Sequence, residues 1–263
     1  VTGLIDGAPP VTTVLLALAA LAAGWVDAVV GGGGLVQLPA LLIGLPGATP
    51  AQLLATNKLS SVCGTLTSAV TYYRRVGPDL STALPMAGSA LVGAAAGAAG
   101  ADLLPTRLFR PLVLVLLVAV AWHVWRRPDI GRVTALRFSG TRHRVTAAAV
   151  GAGIGFYDGI FGPGTGSFLV VALVGLLGYA FLQASAKAKI VNLATNTGAL
   201  LVFIPQGAPL WWLGLLMGLA NLAGGYLGAR TAVAAGNWFI RTALLVVVGL
   251  LVLRVGWDVA HGR

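Results

Sequence analysis

Apolar residues run along this chain in long blocks rather than in short alternation. In the first half they occupy about 11–30, 35–45, 51–73, 82–101 and 107–125, each block ended by glycine, proline or polar residues. A helix needs about 17–25 such residues to cross about 30 Å of hydrocarbon. A transmembrane barrel would show shorter alternating segments, and there are none. The pattern therefore predicts an all-α, polytopic integral membrane bundle. The second block is too short for a full crossing, since about eleven residues rise only about 16 Å. It reads as half of a re-entrant hairpin or as a displaced crossing, and either leaves an odd number of full crossings per half, three or five.

The second half repeats the first at an offset of 131. GWVDAVVGGGG at 24–34 falls on GFYDGIFGPGT at 155–165, and without a gap Ala55 falls on Ala186, Lys58 on Lys189, Met86 on Met217, Gly93 on Gly224, Gly97 on Gly228 and Arg110 on Arg241. The expected organisation is a first transmembrane repeat over 1–125, a basic cytoplasmic linker over 126–144 and a second repeat over 145–263. An odd number of crossings inverts the second repeat relative to the first. Inversion gathers Arg74, Arg75, the linker arginines, Lys187, Lys189, Arg230 and Arg241 on the cytoplasmic side and leaves Arg107, Arg110, Arg254 and Arg263 outside. Positive charge favours that side. The repeat also argues against reading 12–24 as a signal peptide, as does VTGLIDGAPP, which carries Asp6 and no basic residue.

Composition agrees with the pattern: of 263 residues 57% are hydrophobic and 9% charged, against roughly 25% charged in soluble domains. The net charge of +10 sits mostly in short connections, so it reads as a topology signal and not as a nucleic-acid surface. The expected location is the inner (cytoplasmic) membrane, as a multi-pass protein. The single cysteine, Cys63, excludes an internal disulfide and reads as a small buried residue. His123, His143 and His261 lie near segment ends without metal-ligand spacing and read as interfacial or solvated. GIGFYDGIFGPG has the glycines of a dinucleotide fingerprint, but no strand precedes it. Neither a serine nucleophile elbow nor HExxH occurs. No metal, cofactor or catalytic residue is indicated, and the chain does not read as an enzyme.

The candidate chemistry lies where the apolar blocks break. Non-helical backbone at membrane depth is tolerated only inside protein or beside a wet cavity. The two glycine breaks, Gly31, Gly32, Gly33 and Gly34 in one repeat and Gly162, Gly164, Thr165 and Gly166 in the other, let backbone amides turn toward a ligand. Helices beginning after them, near Leu35 and Ser167, present positive ends to an anion. Such breaks at matching positions of inverted repeats point to a transporter's central site. Small-residue stretches such as ALVGAAAGAAGA at 90–101 read instead as helix packing.

Asp27 and Asp158 are the acids placed inside apolar segments, where a carboxylate costs a few kcal/mol and usually marks a pathway or proton relay. Capping of the broken helix is the other reading of each. Lys58 and Lys189 are the matching cations, able to pair with aspartate or with an anionic substrate, and Thr56, Asn57, Asn192, Thr195 and Asn196 add hydrogen-bonding groups. Lys187 and Lys189 have a second reading as topology charges at the inner surface.

At these residues the chain resembles the TauE/SafE sulfite exporters, the TSUP transporters. The resemblance rests on AGWVDAVVGGGGLVQLPALL (23–42), ATNKLSS (55–61), GFYDGIFGPGTG (155–166), AKAKIVNLATN (186–196) and GGYLGARTA (224–232). It implies a permease, typically an exporter, for sulfite, organosulfonates or small carboxylates. An oxyanion is then expected between the two breaks, held by backbone amides, Asn57, Asn192, Asn196, Lys58 and Lys189. Asp27 and Asp158 become sites for a coupling proton or sodium ion. The implied partners are a small anionic substrate and the lipid bilayer, with no nucleic acid, and a homodimer is compatible with the resemblance. A passive anion channel and a membrane enzyme or scaffold without transport are the other readings.

Overall fold

The computed structural model describes residues 6, 8–100 and 131–260. The predicted block 107–125 lies outside them, as do Asp102, Arg107, Arg110, His123 and His261. The described chain is helical: α1 Pro10–Val30, α2 Gly34–Gly44, α3 Pro50–Val76, α4 Leu80–Ala99, α5 Gly140–Ile160, α6 Thr165–Ala172, α7 Phe181–Phe203 and α8 Trp211–Ala260. A π-helical turn, Leu173–Leu177, extends α6. α8 is two helical arms joined at Gly236, whose φ of 75° and ψ of −166° are not helical. α1, α4 and the Trp211–Leu250 part of α8 are long and apolar enough to cross a membrane. The helix starts at 34, 50 and 80 recur at 165, 181 and 211, the offset of the sequence repeat.

Local sequence sets the helix ends. Thr49 and Gln52 form a reciprocal capping box ahead of Pro50, which needs no donor at a first-turn position. Asp79 caps α4 by accepting from the Ser81 amide at 2.9 Å. α1 ends on Gly31 at φ 81°, and α3 ends on Gly77 at φ 59°, the left-handed geometry that glycine supplies. α5 begins at Gly140, inside the basic stretch expected to be linker, so residues 140–144 form its first turn.

The halves interleave. α4 packs on α5 and α7, α1 packs on α8, and α3 packs on both α7 and α8. α3 and α7 run antiparallel: Val76, at the end of α3, receives a hydrogen bond from Gln183 at the start of α7, while Ala55 near the start of α3 shares a cluster with Phe203 at the end of α7. Small residues let the backbones approach. A Cβ on Gly93 or Gly97 of α4 would overlap the α5 backbone at Ala152 and Phe156, and one on Gly224 or Gly228 of α8 would overlap α1 at Leu21 and Trp25. These are equivalent seams of the two halves, the packing expected of small residues spaced four apart.

The outer surface is apolar. Val11, Leu18, Val92, Leu219, Trp238 and Leu253 are all more than half exposed. The inside is partly polar, with Asn57, Lys58, Asp158, Lys187, Lys189 and Asn192 buried. A soluble domain has the opposite arrangement.

Candidate functional site

The two glycine breaks meet back to back. Ser167 donates its amide to Gly31 O at 3.2 Å and its hydroxyl to Val30 O at 2.7 Å. A Cβ on Gly31 would lie within the Gly166 backbone, and one on Gly166 would lie on Gly31 Cα. Two chain breaks can cross this closely only without side chains. The contact also changes one expectation: the Ser167 amide is committed to Gly31 and is not free for a ligand.

Around this crossing stand four charged side chains in two crossed pairs. Lys58 of α3 pairs with Asp158 of α5, Nζ to Oδ2 at 2.7 Å. Lys189 of α7 pairs with Asp27 of α1 at 2.9 Å and also donates to the Asp27 backbone carbonyl. Each lysine therefore holds the aspartate of the other half. Lys189 is buried beside Asp27, and Lys187 is buried too, with its ammonium over the Tyr179 ring 4.1 Å from its centroid. The pairs differ in surroundings. Asp158 is 2% exposed and accepts from Thr165 Oγ1 at 2.6 Å, whereas Asp27 is 15% exposed. A buried charge is tolerated only when it is compensated: Lys189 donates to Asp27, and Asp158 accepts from Thr165 at Oδ1 while its Oδ2 faces Lys58 in the ion pair.

Between the pairs is a cavity of about 20 Å³. Of the residues picked out from the sequence, Asp27, Lys58, Asp158 and Asn57 line it, with Asn192 and Asn196 from α7. Gly31, Gly34, Gly162, Thr165 and Gly166 complete its wall. Four expected residues do not line it. Gly32 faces Val247 of α8, Gly33 lies against Asp27 Cβ, Gly164 lies beside Phe168 and Leu35, and Lys189 reaches the cavity only through Asp27. Thr56 serves packing by accepting from the Leu210 amide, and Thr195 bonds within its own helix to Asn192.

The structure adds Ser61 to the wall. The repeat offset places Ser61 on Asn192, so the alignment that revealed the repeat also carried this signal. Asn57 Oδ1 is buried with no hydrogen-bond partner among the described residues. An unsatisfied buried acceptor at a cavity wall is the kind of group a bound molecule completes. No cluster of three or more metal-ligating side chains occurs among the described residues. His143 departs from its interfacial reading: it is buried, with Nε2 2.9 Å from Tyr179 Oη.

An apolar-surfaced helical bundle with a buried, charge-paired cavity where two broken helices cross defines a multi-pass membrane protein of the transporter class. The family described as Sulfite exporter TauE/SafE matches residues 16–255, and the chain belongs to it. A probable membrane transporter protein, ORF9, from Sinorhizobium sp is 39% identical over 94% of this chain and 93% of its own length. The probable membrane transporter protein YfcA of Escherichia coli K12 is 31% identical over 97% and 93%. A probable membrane transporter protein of Haemophilus influenzae is 30% identical over 90% and 91%. No solved structure matches the chain significantly. The chain is thus a membrane transporter by family.

Proposed function

We propose that the chain is a secondary carrier in the inner membrane that exports small sulfur-containing anions, such as sulfite or organosulfonates, by alternating access of two inverted repeats. The crossed ion pairs are the observation that carries this reading. Two ammonium groups and two carboxylates leave the closed centre with no net charge. An anion that takes an ammonium group displaces its aspartate, and a proton bound by the freed carboxylate keeps the site neutral. Anion and proton then move together, and the electrostatic penalty of a lone buried anion is avoided. Sodium beside the freed carboxylate would serve the same end.

The cavity size supports a carrier over an open pore. A volume of about 20 Å³ holds about one water, so a sulfur oxyanion enters only if the halves separate. Antiparallel α3 and α7 support inversion of the repeats, and the arginines gathered at one end support a cytoplasmic placement of that end.

Thermal melting of the purified protein with sulfite, thiosulfate, sulfoacetate, taurine, lactate and chloride tests the reading, because a ligand of the native state raises apparent stability. A sulfur anion is expected to raise the melting temperature, and Lys58→Ala is expected to weaken that anion by about tenfold or more, or about 1.4 kcal/mol. In proteoliposomes, Asp158→Asn is expected to abolish stimulation of uptake by a proton gradient. Stabilisation by lactate alone would move the substrate to small carboxylates. Conductance far above carrier rates would make the protein a channel, and no response to any anion would sink the proposal.

A further inference from the structure

A second and larger cavity, of about 480 Å³, opens at the arginine-rich end of the bundle between the start of α4, the 131–139 connection and the start of α5. Its inner wall is one hydrogen-bonded line. Thr82 Oγ1 donates to Asp79 Oδ2 at 2.6 Å, Tyr179 Oη donates to Thr82 Oγ1 at 3.1 Å, and Tyr179 Oη lies 2.9 Å from His143 Nε2. Each hydroxyl has one proton, and both are committed toward the carboxylate. In the tautomer that completes this line, His143 Nε2 carries the hydrogen and donates to Tyr179, and Nδ1 is an acceptor. Nδ1 is buried without a partner among the described residues.

Charge at this cavity is mostly positive. Arg137 and Arg144 line it from exposed positions, Arg142 lies nearby over Phe138, and the Lys187 ammonium backs the Tyr179 ring. The opposing carboxylate, Asp79, is already occupied by Ser81 and Thr82. The chemistry is also one-sided. At the 131-residue offset His143 falls on Thr12, Tyr179 on Ala48, Asp79 on Leu210, Thr82 on Leu213 and Lys187 on Thr56. The central site is duplicated between the repeats, whereas these side chains of the outer cavity are not repeated at the 131-residue offset.

We infer that this cavity is a second binding site, specific to one membrane face, for a small tetrahedral oxyanion held by Arg137 and Arg144 with His143 in its inner wall. Arginine suits this ligand because its planar fork donates two parallel hydrogen bonds to an oxyanion. Lys187 and Lys189 lie two residues apart on α7, one behind this cavity and one in the central site, so a single helix separates the two. The cavity's use as a loading site for the transported anion rests on the carrier reading above. The existence of the site does not.

A local reporter separates this site from the central one. In a Cys63→Ala background, Ser139→Cys places a thiol on the cavity wall, and Val133→Cys, 74% exposed and off the wall, serves as the control. The probes are methanethiosulfonate reagents bearing a sulfonate or a trimethylammonium group, with sodium sulfate as competitor, in nanodiscs of phosphatidylcholine. Relative to the control, the sulfonate reagent is expected to be favoured at Ser139→Cys by about tenfold. Sulfate is expected to slow that reaction and leave the control unchanged. Arg137→Gln with Arg144→Gln, both exposed positions, should remove preference and protection together.

Protection seen only when phosphatidylglycerol replaces phosphatidylcholine would identify the oxyanion as a lipid headgroup. No charge preference and no protection under either condition would overturn the site, whatever the transport assays show.

Discussion

Lys58, Asp158, Lys189 and Asp27 are best understood as two pairs and not as four separate binding groups. Removing one member of a buried pair strands its partner's charge, which typically costs about 3–5 kcal/mol, while replacing both with apolar groups of similar size is often nearly neutral. Lys58→Met and Asp158→Leu are each expected to lower stability by that amount, and the double variant by much less, as measured by unfolding of the purified protein. Additive losses would mean that the two side chains do not depend on each other. Gly31 illustrates a different constraint. A glycine run permits its positive φ, but its contact with Gly166 is not legible there, because a run of glycines does not say which one another chain segment will touch.

At the level of elements, the ends of α4 and α5 connect local sequence to the outer cavity. Burial alone would raise the Asp79 carboxyl, but hydrogen bonds from Thr82 and Ser81 outweigh it, with help from the Lys187 charge, and hold it below the ordinary carboxylate value. The folded-state value thus lies below the unfolded one. The stability contributed by Asp79 is full at neutral pH and is lost as pH falls through the depressed value. Asp79→Ala is expected to cost about 0.5–2 kcal/mol at neutral pH, the value of an N-cap, and to flatten the acid side of a stability profile. A variant that melts normally with an unchanged profile would show the cap to be dispensable. His143, one turn into α5, read from sequence as a residue near a polar segment end. Burial came from Tyr179, 36 residues later, which no local pattern pairs with it.

For the whole molecule, the end that carries Arg74, Arg75 and the 131–144 arginines is expected to face the cytoplasm. In the Cys63→Ala background, a membrane-impermeant thiol reagent should label Val133→Cys only from the cytoplasmic side and Gln206→Cys only from the opposite side. Labelling of both from one side would contradict the crossing of α7 between them, and a reversed pattern would invert the proposed orientation. The same orientation decides which membrane face carries the arginine-lined cavity, and so whether a captured anion would be loaded for export.

The sequence by itself determined the class of the protein, the helical blocks among the described residues, the 131-residue repeat and the charged residues worth watching. Each of these depends on neighbours in the chain or on composition, and the bilayer enforces both through the cost of exposed polar backbone. Only the tertiary structure decided that each lysine pairs with the other half's aspartate, that Gly32, Gly33 and Gly164 face packing rather than the cavity, that Ser61 joins it, and that Lys187 and His143 are buried. Those outcomes depend on contacts between residues about 100 or more positions apart, or on which side of a helix meets which neighbour. A periodic pattern reports that a residue is inside, but the partner it meets there is fixed by how the helices cross.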